Sequence, residues 1–586
     1  MQLVIRANFI GLGLVNSRLT FHPIGRLWRK VIYKYDQLAS LLIYNAPDGL
    51  KGSFVIHVSG STSGPPTVTL AYGTFQGFSE GGLDKFLGIP FAQAGRFELP
   101  QTPTPFSEIQ EATAFGPACP QQNFSPISVP GLSSIGSTTQ VLGSMSEDCL
   151  FVNVIAPSNI PPGTRLPILF WIFGGGFEEG DTSVNDGSTV VARSIALGEP
   201  VIYVSANYRL NAFGFSASKE IKAAGIGNLG LRDQRFALQW VQTNIRLFGG
   251  DKTRVTIWGE SAGAISVASH MVINGGNQEG LFHGAFMVAG ATSFHLESGS
   301  PVPMTDISAG QPFFNQLVAN TGCSGSPDIL ACLKVVPFDI FLNAVNESPN
   351  LLGFMSLQLA WLPRIDGDLI AENPQDSLVK GAFSNIPFAN GDCDDEGTHY
   401  FVNFVDASQS NYYPDASDAQ FAPLAVLYPS DPAVGSPFGT GDANQLTPQF
   451  KRIAAFQGDS TFQAPRRFFL RIASKRQNVW SFLFKRGKTT PFLGSFHGSD
   501  LAEFYSSSST PDFQGTDALV NFANTGNPNN GATKNISTLI HWPMYSTNLE
   551  KPPLLTFLDP NELAITEDTF RFEPIQALIK LSRKFP

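Results

Sequence analysis

Five runs of this chain are apolar almost from end to end: LPILFWIF (Leu166 to Phe173), PVIYVSANY (Pro200 to Tyr208), RVTIWG (Arg254 to Gly259), HGAFMVAG (His283 to Gly290) and NVWSFLF (Asn478 to Phe484). A strand with one wet face alternates apolar and polar residues, and these do not, so they read as strands buried on both sides. Between the second and third lies LRDQRFALQWVQTNIRLFGG, Leu231 to Gly250, with apolar residues at helical spacing before a Gly-Gly stop. Strand, helix, strand implies parallel pairing through right-handed crossovers. The fold class is therefore α/β: a central, mostly parallel sheet with helices on both faces.

The 586 residues are 42% hydrophobic and 15% charged, which suits one large α/β domain with long insertions. A net charge of −10 without any dense Lys/Arg block argues against nucleic acid as a partner. No stretch approaches the roughly 18 consecutive apolar residues of a transmembrane segment. Residues 1–66 read differently from the rest, with a basic aromatic stretch, RLWRKVIYKYDQ, and then the linker-like SGSTSGPP at Ser59 to Pro66. The expected organisation is an N-terminal extension over 1–66 and a catalytic domain over 67–586. The opening MQLVIRANFIGLGLVN is interrupted by Arg6 and Asn8 and is not a clean export signal.

Five cysteines show none of the paired CxxC spacing of a zinc site, and neither metal nor cofactor is expected. Cys119 with Cys149 and Cys323 with Cys332 are close enough in sequence to close loops, leaving Cys393 over. Oxidation of both would mean an oxidising compartment, the longer loop contributing about 3 to 4 kcal/mol. Acceptor sequons at Asn123 (NFS), Asn346 (NES) and Asn535 (NIS) fit the same compartment.

The strand RVTIW runs into GESAG, and a helical pattern, AISVASHM, follows. With 56 glycines in the chain, Gly-x-Ser-x-Gly alone arises by chance about half a time. Between a strand and a helix it gains meaning, because a nucleophile elbow needs a strained turn whose flanking glycines carry no side chain to collide with the neighbouring elements. Ser261 is the candidate nucleophile.

A serine hydroxyl needs a base to take its proton and a third group to orient that base. Of eight histidines, His497 stands in FLGSFHGSDLAEF, a small-residue loop just beyond the strand NVWSFLF, where a side chain projects from the C-terminal edge of the sheet. For the acid, NGDCDDEGTHYF offers Asp392, Asp394, Asp395 and Glu396, and composition does not choose among them. The chain order serine, acid, histidine is that of α/β-hydrolases. WIFGGGFEEG places the glycine run Gly174 to Gly176 at the end of an early strand, where backbone N–H groups can approach a developing oxyanion, and the N–H of Ala262 is a further donor.

These motifs and others, KFLGIPFAQ (Lys85 to Gln93), SEDCLFVNVIAP (Ser146 to Pro157), GNLGLRDQRFALQWVQTNI (Gly227 to Ile245), DEGT (Asp395 to Thr398) and FHGSD (Phe496 to Asp500), resemble in joint order those of the type-B carboxylesterases and lipases, fungal lipase branch. The resemblance implies an α/β-hydrolase fold and a secreted serine ester hydrolase with a triad of Ser261, Glu396 and His497. It implies oxyanion donors at Gly175, Gly176 and Ala262, and disulfides Cys119–Cys149 and Cys323–Cys332. The loop closed by the first disulfide, 119–149, is implied to be lid-like, and the partner an ester or lipid substrate, met in the lipase case at a lipid–water interface. The segment AGRFELP, Ala94 to Pro100, is shorter than its usual counterpart, a change expected to perturb the edge near the disulfide loop. The rival reading is a catalytically inactive, cholinesterase-like binding or adhesion protein. Nothing in the sequence sets an oligomeric state.

Overall fold

A computed structural model describes residues 64–123, 144–290, 306–352, 357, 359–399, 416–507, 512–529, 531 and 536–584. The expected extension, apart from residues 64–66, lies outside these residues, as do the middle of the 119–149 loop and Asn535. In chain order the strands are β1 (Thr67–Leu70), β2 (Gly73–Gln76), β3 (Phe78–Glu80), β4 (Leu83–Pro90), β5 (Ile109–Glu111), β6 (Phe151–Pro157) and β7 (Leu166–Ile172). They continue as β8 (Ile202–Ala206), β9 (Gly250–Glu260), β10 (Gly284–Val288), β11 (Phe388–Cys393), β12 (Val479–Phe484), β13 (Pro553–Leu558) and β14 (Glu562–Glu567).

Eleven strands form one sheet in the order β14-β13-β12-β11-β10-β9-β7-β8-β6-β4-β3, and β1, β2 and β5 form a small second sheet. From β8 through β7, β9, β10, β11 and β12 to β13 every pairing is parallel. The pairings β6 with β8, β4 with β6, β3 with β4 and β13 with β14 are antiparallel. The five apolar runs are β7, β8, β9, β10 and β12, and all residues of β7, β8, β10 and β12 are buried. That burial on two faces is why they carry no alternation.

The helical run between β8 and β9 forms the helix Leu229–Asn244, tightened into a 3₁₀ turn over Ile245–Phe248 and stopped by Gly249 at φ 85°. A left-handed residue at a helix end is the conformation glycine adopts without steric cost. The sheet's C-terminal edge gathers the chemistry, since β7 leads to the glycine run, β9 to Ser261, β11 to the acidic cluster and β12 to the His497 loop.

Cys119 is bonded to Cys149 and Cys323 to Cys332, while Cys393 is a buried free thiol. The AGRFELP segment is tied through Arg96 to residues close in sequence to both bridges. Its guanidinium makes two hydrogen bonds to Glu147, at 3.0 and 2.5 Å, and two to the carbonyls of Leu333 and Val336, each at 2.8 Å.

Candidate active site

Ser261 occupies a sharp turn between β9 and the helix Ala262–Val272, with φ 54° and ψ −125°. A non-glycine residue at such a φ is strained and persists only where its surroundings enforce it. Here the N–H of Ser261 donates to the Val288 carbonyl at 3.1 Å and its carbonyl accepts from Ile265 N–H at 2.9 Å. The flanking glycines are required by space as well. A Cβ on Gly259 would lie 2.5 Å from the carbonyl carbon of Gly263, and one on Gly263 would lie 2.0 Å from the carbonyl oxygen of Ile172.

Opposite the turn, His497 Nε2 lies 2.8 Å from Ser261 Oγ and its Nδ1 lies 2.5 Å from Glu396 Oε2. The other carboxylate oxygen of Glu396 accepts from the backbone N–H of Cys393 at 2.6 Å. When Glu396 is ionised it can only accept, so Nδ1 then carries the proton and Nε2 faces the serine hydroxyl as an acceptor. Burial pushes the His497 pKa below its ordinary value of 6.5, against the pull of Glu260 and Asp392. The imidazole is thus neutral and able to act as a base near pH 7. Burial pushes Glu396 up from the ordinary carboxyl range, with Asp392 adding to the rise and the Cys393 N–H opposing it.

The other three acids of the cluster are engaged elsewhere. Asp392 pairs with Arg466 Nε at 3.0 Å, and Asp394 with Lys485 at 3.2 Å and Lys488 at 2.6 Å. Asp395 takes Lys488 at 2.6 Å, the hydroxyl of Ser436 and the N–H groups of Phe438 and Ser495. Glu396 alone of the four meets the imidazole.

The remaining described histidines lie apart from the serine hydroxyl. His270 is buried in the helix after Ser261 with Nε2 3.0 Å from Gln234 Oε1, and His399 stacks on Phe496 at 5.9 Å between ring centroids. His283 Nδ1 faces Val255 N at 3.5 Å, and His541 is exposed. His22, His57 and His295 lie outside the described residues.

The glycine run abuts the nucleophile, since a Cβ on Gly174 would stand 2.9 Å from Ser261 Cβ. Gly175 and Gly176 have φ of 92° and 63°, and the Gly175 carbonyl accepts from the N–H groups of Glu178 and Glu179, each at 3.0 Å. In a trans peptide the C=O and the following N–H point oppositely, so turning the Gly175 carbonyl toward residues 178 and 179 aims Gly176 N–H away from them. Ala262 opens its helix, where a first-turn N–H has no intrahelical acceptor and the helix dipole favours negative charge.

Two neighbours of the imidazole escaped the sequence reading. Glu260 Oε1 lies 3.3 Å from His497 Nε2, and the Phe462 ring packs 4.6 Å from the imidazole centroid at a tilt of 42°. Glu260 stands inside GESAG and could have been singled out there. Phe462 sits in a π-helical turn, Asp459–Gln463, and nothing local in the sequence marks it. Among the described residues no group of three or more His, Cys, Asp and Glu side chains is placed to hold a metal ion, and no single helix is long and apolar enough to cross a membrane.

Comparison with known proteins gives this arrangement its relatives. Residues 64–571 match the carboxylesterase family. Secreted lipase 1 of Botryotinia fuckeliana (strain B05.10) is 40% identical over 519 residues, covering 83% of this chain and 88% of that protein. Lipase 4 of Diutina rugosa is 37% identical over 558 residues, covering 90% and 98%. The crystal structure of Aspergillus niger EstA superposes with a TM-score of 0.75 at 27% identity, covering 89% of this chain and 99% of that one.

Proposed function

The chain belongs to the carboxylesterase family and is a carboxylic ester hydrolase, and from that premise we propose that it cleaves esters through an acyl-enzyme on Ser261. The observation that carries this reading is one imidazole joining the serine hydroxyl, at 2.8 Å, to a buried carboxylate, at 2.5 Å. Ser261 Oγ attacks the ester carbonyl while His497 Nε2 takes its proton. The resulting oxyanion is stabilised by the N–H groups of Gly175, Gly176 and Ala262, each such donor being worth about 10²- to 10³-fold in rate. Glu396 holds the imidazole in the productive tautomer and stabilises its protonated form. The imidazolium then gives its proton to the departing alkoxide, leaving the acyl group on Ser261. Water, deprotonated by the same nitrogen, attacks the acyl-enzyme and releases the carboxylic acid.

The substrate is read as a lipid ester and the protein as secreted. The first reading is supported by relatives named as lipases, the second by one named as a secreted lipase and by two disulfides, which persist in oxidising compartments. Asn123 is exposed and Asn346 half-buried, and both are read as glycan acceptors together with Asn535. The loop 119–149 is read as a lid over the acyl site. A purely adhesive role is disfavoured because it gives no reason to keep a strained serine hydrogen-bonded to a buried histidine–carboxylate pair.

Two measurements test the reading. A fluorophosphonate should form a covalent adduct that maps to the peptide containing Ser261, and an adduct on another residue, or none, contradicts the assignment. Rate against acyl chain length, below and above the solubility limit of the ester, separates a lipase, whose rate jumps at the interface, from an esterase that saturates below it.

A further inference from the structure

The glycine loop is held from behind by a second layer. A Cβ on Gly180, at the loop's exit, would lie 2.6 Å from Phe173 Cδ2 and 2.9 Å from the Gly174 carbonyl oxygen, so exit and entrance are packed together. Asn211 N–H donates to the Phe177 carbonyl at 2.7 Å, Gln122 N–H to the Glu178 carbonyl at 3.0 Å, and Leu351 N–H to Glu178 Oε2 at 2.9 Å. The strongest tie is the buried Gln121. Gly180 N–H donates to its Oε1 at 2.5 Å, and its Nε2 donates both to the Gly180 carbonyl at 3.0 Å and to the Cys119 carbonyl at 2.7 Å.

We propose that Gln121 is a positioning residue for the oxyanion hole: by pairing with both backbone groups of Gly180 it fixes the glycine loop, and so the N–H groups of Gly175 and Gly176, to the disulfide-anchored Cys119 segment. The inference rests on the assignment of those donors given above. A primary amide suits the task because it presents a donor and an acceptor in one plane, matching the N–H and C=O of a single residue. An ionised carboxyl of the same length keeps the acceptor and loses the donor, and a thioether of similar length keeps neither as an effective partner. Oxyanion stabilisation depends on donors preorganised to a fraction of an ångström, so a loosened loop costs rate without touching the substrate's ground-state contacts.

The test uses the full chain, with kcat expressed per serine titrated by a fluorophosphonate so that unfolded molecules do not count. Gln121→Met and Gln121→Glu should each lower kcat by about 10- to 100-fold with KM within about twofold of the parent. A trifluoromethyl ketone, whose serine adduct carries the oxyanion, should bind more weakly by the factor lost in kcat/KM. Either variant decides the matter if the other fails to fold. Parent-like kcat in a folded variant, or a fall in kcat that leaves trifluoromethyl ketone binding unchanged, overturns the inference. A parent protein that takes no fluorophosphonate and hydrolyses no ester refutes the ester-hydrolase reading instead, whereas a labelled, active parent with indifferent Gln121 variants refutes this inference alone.

Discussion

Glu260 Oε1 lies 3.3 Å from His497 Nε2, the same nitrogen that meets Ser261 Oγ at 2.8 Å. Burial holds the Glu260 carboxyl protonated far above its ordinary range, pushing its pKa from 4.5 to about 8 despite the opposing attraction of His497. Between those two values the folded protein keeps a proton that the unfolded chain has lost, so stability falls as pH rises through the window. Glu260→Gln removes that cost. It is expected to raise stability by about 1 to 3 kcal/mol near pH 8 and by little near pH 5. Thermal melts at the two pH values check this, and an equal shift at both contradicts it.

The pH dependence of hydrolysis should carry the mark of a buried base. Burial lowers the pKa of His497 below 6.5, so its neutral, proton-accepting form persists at pH values where a free imidazole is already charged. The acid limb of kcat/KM is therefore expected to have its midpoint below pH 6.5. A midpoint above that value would mean that the attraction of neighbouring carboxylates outweighs desolvation.

Gly263 is predicted to tolerate no side chain. An added Cβ would stand 2.0 Å from the Ile172 carbonyl oxygen, which is backbone of the central strand β7 and cannot step aside. Gly263→Ala should lose several kcal/mol of stability. Gly81, also in a turn, has φ 61° and nothing within 4 Å of its Cβ direction, so Gly81→Ala should cost only about 1 kcal/mol of backbone strain. Chemical denaturation of the two variants separates the cases.

Cys393 should be silent toward thiol reagents in the native protein. It is buried, and desolvation together with Asp500 and Glu396 pushes its thiol well above the ordinary range, so little thiolate exists to react. Ellman's reagent is expected to count no thiol before denaturation and a single one after it. A native thiol that reacts promptly would show that the acid loop opens.

The strands legible in the sequence were those whose burial is two-sided, because continuous apolar runs such as LPILFWI have no other use in a water-soluble sheet. NGDCDDEGTHYF reads as a loop after the short run NIPFAN because Gly391 and Asp392 are poor strand formers, yet its first four residues, Asn390 to Cys393, complete β11, seated between β10 and β12. Its tolerance of a buried aspartate comes from Arg466, 74 positions away, which no local pattern reveals. The four carboxylates from Asp392 to Glu396 were alike for the same reason. What distinguishes them is which cation or imidazole the fold delivers to each, Lys488 to Asp394 and Asp395, Arg466 to Asp392 and His497 to Glu396. The glycine run, by contrast, was legible because its chemistry is local, while the amide of Gln121 that braces it belongs to another loop.

The central claim is that Ser261 is the acylated residue, and its most direct test is turnover of a soluble p-nitrophenyl ester by Ser261→Ala. Among the described residues the hydroxyl is hydrogen-bonded to His497 alone, so the variant should melt within about 1 kcal/mol of the parent. Its kcat should fall by about 10⁴-fold or more, with no fluorophosphonate adduct. A folded Ser261→Ala protein that still hydrolyses the ester within about tenfold of the parent would contradict the account.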